Sequence, residues 1–135
     1  MQPEHRLIEL PERVDSRGSL IFGQQGDHIP FPVKRFFALQ GVAKSASRGG
    51  HAHREQHQFL IMLVGSATIT VDNGQNCTTV TLDRPSRALY APPMLWLALD
   101  QFSKGAVCLV LTSDLFSEAD YLRDHDEFTR LTAGS

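Results

Sequence analysis

Eight short runs rich in β-branched and aromatic residues succeed one another along the chain: SLIFGQ (19–24), VKRFFALQGV (33–42), HQFLIMLVG (57–65), SATITVDNG (66–74), CTTVTLD (77–83), ALYAPP (88–93), LWLAL (95–99) and AVCLVLTS (106–113). Gly, Pro, Asn and Asp separate them, and Asn73-Gly74 is the strongest hairpin signal among them. Strands this short and this closely spaced bury a common face only by folding into a small sandwich or barrel. The pattern therefore predicts an all-β fold closed as a jelly roll or barrel, with its interior or mouth as the ligand site. Only the tail, 117–132, reads as helix. Ser117 offers an N-cap, Glu118 and Asp120 occupy the first turn, and Tyr121, Leu122 and Phe128 form a partial apolar stripe.

A chain of 135 residues holds one domain, 1–135, with a core that needs no disulfide or metal support. Its formal charge of −2, from 13 basic and 15 acidic residues spread along the sequence, argues against nucleic acid as a partner, which calls for a clustered basic face. Cys77 and Cys108 are too few for a disulfide scaffold. The apolar runs Phe59 to Val64 and Ala106 to Leu111 fall far short of the roughly 20 residues of a membrane span. The opening MQPEHRLIEL has no charged region followed by an apolar one, so a cytoplasmic protein is expected.

The chemistry is concentrated in RGGHAHREQHQFLIMLVG, residues 48–65. If His51-Ala52-His53 is extended, both imidazoles look into one cavity, because alternate residues of a strand share a face. Two readings compete. Metal-binding cupins follow His-x-His with a Glu three or four residues on, and a later His after a Pro. Here His57 and Gln58 stand at the first place and Leu97 near the second, so two of the four ligands are missing. His51, His53 and His57 would make at most a weak three-nitrogen site. Without metal, a pair of groups titrating near neutrality is suited to moving protons, as in isomerisation or enolisation.

Further motifs extend over almost the whole chain: Asp15-Ser16-Arg17-Gly18-Ser19-Leu20, Ile29-Pro30-Phe31, Val33-Lys34-Arg35-Phe36-Phe37, Arg48-Gly49-Gly50-His51-Ala52-His53, Gln58, Gly65-Ser66, Leu89-Tyr90, Pro93 with Trp96, Phe102-Ser103, Val110-Leu111, and Asp120-Tyr121-Leu122-Arg123 with Phe128. In this order they resemble the cupin-type dTDP-4-keto-6-deoxyglucose 3,4-ketoisomerases, the WxcM-like enzymes of bacterial deoxysugar biosynthesis, O-antigen sugars among its products. The resemblance implies a dTDP-linked keto-sugar as partner, no cofactor, and an isomerase that moves a ketone from C4 to C3 through an enediolate. It implies His51 as the C3 base and His53 as the relay to the sugar oxygens.

By the same resemblance, Arg17, Arg35 and Arg48 lie near the diphosphate, and Tyr90 and Trp96 line the cavity or stack on thymine. Gln58 would reach the sugar, although its parity along a strand continuing from His53 is wrong unless a bulge near Glu55 corrects it. The family forms homodimers that exchange an N-terminal strand, and the alternation of residues 4–14 is compatible with that. Two departures stand out. Phe36-Phe37 replaces a segment that commonly holds a tyrosine, and Leu97-Ala98 follows the tryptophan where a polar residue is common. These losses keep alive a non-catalytic nucleotide-sugar-binding cupin, and the histidines a metal-dependent cupin oxygenase.

Overall fold

The structure, a computed structural model, describes residues 2–133. In chain order its strands are β1 (Arg6–Glu9), β2 (Glu12–Asp15), β3 (Gly18–Ile21), β4 (Arg35–Gln40), β5 (Arg48–His53), β6 (Gln58–Val64), β7 (Ala67–Asp72), β8 (Cys77–Leu82), β9 (Arg87–Ala91), β10 (Trp96–Asp100), β11 (Val107–Thr112) and β12 (Tyr121–Leu122). A 3₁₀ turn at Glu118–Asp120 precedes β12, and helix α1 (His125–Thr132) follows it. One sheet runs β1-β9-β6-β11-β4, a second β12-β5-β10-β7-β8, and β2-β3 forms a separate hairpin. All their pairings are antiparallel.

Alternation decides what each strand buries. In β7 every second residue (Ala67, Ile69, Val71) is buried. These pack with Leu60 and Met62 of β6, Leu89 of β9, Leu97 and Leu99 of β10, and Val110 of β11 into one core between the two sheets. Fully burying each such side chain stabilises the fold by about 1.5–3 kcal/mol. The outer face of the first sheet has its own cover: Phe59, Ala88 and Tyr90 pack under Leu10, Ile29 and Phe31 from the segments before and after the β2-β3 hairpin. The Asn73-Gly74 signal does mark a hairpin, β7-β8, with a four-residue loop in which the Asn73 side chain accepts from the amides of Gln75 and Asn76.

Two expectations need correction. The segment 48–65 is not one continuous strand, since residues 54–57 carry the chain from β5 in the second sheet to β6 in the first. The expected helix from Ser117 is also displaced. Asp124 is the N-cap, its side chain accepting from the Asp126 amide, while Tyr121 and Leu122 form a strand paired with His53 and Ala52. Asp124 with Glu127 three residues on is the better capping pattern, and it outcompetes Ser117, which makes no side-chain cap. Phe128 does face inward, fully buried against Ala52 and Leu122. Among the described residues no helix is long and apolar enough to cross a membrane.

Candidate active site

A cavity of about 560 Å³ opens between the two sheets. From the first sheet come Arg35, Phe37, Gln58 and Leu60; from the second come Arg48, His51, Leu97 and Tyr121. Its lining mixes apolar side chains such as Phe37, Leu60 and Leu97 with a few polar ones, the usual composition of a small-molecule site. Gln58 reaches it without any bulge. The change of sheet at 54–57 resets the parity, and Gln58 shares its strand face with Leu60.

His51 is on the cavity wall because β5 is held close to β10. A Cβ on Gly49 would stand 2.8 Å from the Leu97 carbonyl, and Gly49 has φ +83°, so this approach requires glycine. The rings of His51 and His53 lie on one side of the strand with centroids 5.0 Å apart and planes at 88°. Their surroundings differ. His51 lines the cavity, and its Nδ1 is buried without a hydrogen-bond partner. Burial, then the neighbouring His53 and Arg123, push its pKa down to about 4, against a weaker upward pull from the Gly49 carbonyl and Glu118. His51 is therefore neutral at pH 7. His53 lies behind it, 4 % exposed, with Nδ1 2.9 Å from Oδ2 of Asp120 and Nε2 3.4 Å from the Gln56 amide nitrogen. Burial lowers its pKa too, and Asp120 partly restores it. His53 is not among the residues on the cavity wall, a change from the sequence expectation of two convergent, substrate-facing rings.

Tyr121 closes the space between them. Its ring centroid is 4.8 Å from that of His51 and 4.4 Å from that of His53. The Arg123 guanidinium lies over the same ring, 4.2 Å from its centroid, and pairs with Glu118 through bonds of 2.8 and 3.0 Å. The Arg35 guanidinium is flanked by Phe37 and Phe116, at 5.2 and 5.6 Å, and its buried Nε has no partner. Arg35, Arg48 and Arg123 thus surround the cavity with three guanidinium groups.

The remaining expected residues lie elsewhere. Arg17 sits at the turn of the β2-β3 hairpin, bonded to Asp15, with its side chain 88 % exposed. Tyr90 faces the outer cluster, because its neighbours Leu89 and Ala91 take the inward face of β9, and its hydroxyl is 2.7 Å from Nδ1 of His57. Trp96 turns away from the cavity that Leu97 faces and packs on His125 and Phe128. His57 is consequently remote from the His pair. Among the described residues no cluster of three His, Cys, Asp or Glu side chains is arranged to hold a metal ion. Phe37, not the outward Phe36, occupies the cavity wall, and Leu97 lines it from the other sheet.

Residues 3–133 match the WxcM-like, C-terminal family. The TDP-4-oxo-6-deoxy-alpha-D-glucose-3,4-oxoisomerase of Aneurinibacillus thermoaerophilus is 36% identical over 130 residues, 96% of this chain and 94% of that one. This chain belongs to the WxcM-like family of sugar 3,4-ketoisomerases. The isomerase superposes with a TM-score of 0.93 on a 3,4-ketoisomerase from Helicobacter canadensis, at 37% identity over 97% of this chain and 98% of that one. The same score relates it to a histidine-to-asparagine mutant of the 3,4-ketoisomerase QdtA from Thermoanaerobacterium thermosaccharolyticum in complex with TDP-4-keto-6-deoxyglucose, 32% identical over 96% and 94% of the two chains. The arrangement of two facing antiparallel sheets and a short C-terminal helix is cupin-like.

The sequence presents Asp120-Tyr121-Leu122-Arg123 as a motif, but the helix expected over it gives Asp120, Tyr121 and Arg123 no place in the site. Their signal was present in the Asp124-x-x-Glu127 cap, which starts the helix after them.

Proposed function

We propose that this isomerase converts dTDP-4-keto-6-deoxyglucose to the dTDP-3-keto-6-deoxyhexose, with His51 as the base. The reading rests on one observation above all: a neutral imidazole on the wall of a cavity ringed by guanidinium groups. His51 takes the C3 proton, and the electron pair of that bond forms the C3–C4 double bond of an enediolate as the C4 ketone oxygen gains charge. A proton then returns to C4, the O3 proton passes to O4, and the ketone stands at C3. Nothing is oxidised overall, so the balance needs no redox partner. Arg35 and Arg48 would hold the diphosphate and stabilise enediolate charge, and Gln58 would bond the sugar. His53 acts from behind the wall as the relay. Arg17, Tyr90 and Trp96 are not part of this proposal.

The two sheets are read as the walls of a jelly-roll barrel, the chain 1–135 as one such domain, and the enzyme as a cytoplasmic homodimer. Phe36 and Leu63, 67 % and 46 % exposed on the outer side of the first sheet, support a covered surface there. Exchange of β1 between copies would keep the β1-β9 pairing seen within this chain and make it in trans.

The test is His51→Asn and His53→Asn. Each is expected to lose turnover, His51→Asn by about 10²–10⁴-fold as for loss of a general base, with the fold and dTDP binding retained. Full activity in His51→Asn would sink the assignment. A binding-only protein is the second reading, favoured by the apolar Phe37 and Leu97, and it requires dTDP binding with no proton exchange in the wild type.

A further inference from the structure

The His pair is two residues apart in sequence, yet only His53 has both ring nitrogens near a partner. The group that distinguishes them comes from 67 residues away. Asp120 ends the 3₁₀ turn with its carboxylate against the sheet-to-sheet crossover. Its Oδ1 accepts from the Glu55 amide at 2.7 Å; its Oδ2 accepts from the Gln56 amide at 3.3 Å and stands 2.9 Å from Nδ1 of His53. The Asp120 carbonyl also accepts from the Arg54 amide at 2.8 Å. Four contacts fix this carboxylate and its backbone, and the side chain is only 11 % exposed. It cannot follow His53 if the ring rotates; the ring must conform to it.

We propose that Asp120 is a positioning residue, holding His53 as the Nδ1–H tautomer with a bare Nε2 so that the ring stays fixed behind His51 and can take up a proton during turnover. The proposal rests on the isomerase reading above. A carboxylate is acceptor-only, so the hydrogen of this bond must sit on Nδ1. In the neutral ring Nε2 is then the acceptor, matching the side-chain amide nitrogen of Gln56 3.4 Å away, a different group from the Gln56 backbone N–H that donates to Asp120. If a proton arrives, the imidazolium is formed against a carboxylate already in place. Tyr121, the next residue, packs on both rings, so the same short segment sets the tautomer of one histidine and the placement of both.

Imidazole ¹⁵N spectra of the wild type and Asp120→Asn, with steady-state kinetics on a dTDP-4-keto sugar, test this. The wild type should show Nδ1 protonated and Nε2 bare for His53, and the variant a mixture of tautomers. The variant's kcat should fall by at least ~10²-fold, towards the ~10⁴-fold seen when a catalytic histidine loses its tautomer-setting carboxylate, with KM nearly unchanged. Asp120→Asn combined with His53→Asn should lose little more than the worse single variant, since residues acting as a unit are non-additive. An Nε2–H tautomer in the wild type, wild-type kcat in Asp120→Asn, or additive losses would overturn the proposal. The tautomer is read without substrate, so a variant that unfolds leaves the wild-type spectrum decisive. A wild type with the expected spectrum but no turnover counts against the function and not against the tautomer.

Discussion

At the scale of the residue, His51 and His53 show that a shared strand face does not mean a shared role. The alternation that puts both rings on one side was legible in His-Ala-His, and so was the arginine before them. The contact that separates them was not, because Asp120 arrives from a distant turn and no local pattern ties it to residue 53. The low pKa of His51 has a consequence for stability. In the unfolded chain the ring binds a proton below its ordinary value of 6.5, whereas in the folded protein it does so only below about 4. Between these values the unfolded state holds more protons, so stability falls as pH drops from about 6.5 to about 4, and this group adds no further loss below that. His53, also lowered, acts in the same direction. Thermal midpoints measured across this window should decline toward acid in the wild type and decline less steeply in His51→Asn, which cannot take the proton. Parallel slopes would show that His51 is not held neutral by the fold.

Elements follow more directly from sequence than side-chain destinations do. Each of the eight β-rich runs contains a strand, because period-two burial and turn residues are local properties that tertiary packing here reinforces. The errors fall at two junctions. At 54–57 a polar stretch separates two strands that the sequence pattern runs together, and at 117–124 the helix starts at Asp124 instead of the expected Ser117. Both junctions meet at the site: Asp120 receives hydrogen bonds from Arg54, Glu55 and Gln56. What keeps them together is the small cluster of Ala52, Leu122 and Phe128. Phe128→Ala removes a fully buried ring from it and should cost about 3–5 kcal/mol, read by denaturant unfolding. Activity should fall further than the loss of folded protein explains, because β12 carries Tyr121 against both histidines. A cost under about 1 kcal/mol would mean that α1 does not brace the site.

On the scale of the whole molecule, the cavity lies where β4 and β6 of one sheet face β5 and β10 of the other. Arg35 and Gln58 come from one sheet, Arg48, His51 and Tyr121 from the other, and sequence spacing carries no record of that distance. Light scattering should give twice the chain mass if the outer face of the first sheet is a dimer surface, and a monomer at micromolar concentration would remove that part of the proposal. The proposed isomerisation requires a proton to leave C3 and another to reach C4 under the control of this cavity. A proton NMR time course in D₂O with dTDP-4-keto-6-deoxyglucose and the metal-stripped enzyme follows both events. Deuterium entering the ring as a 3-keto product accumulates is the expected result; an unchanged sugar spectrum, even with the nucleotide resonances broadened by binding, would contradict it.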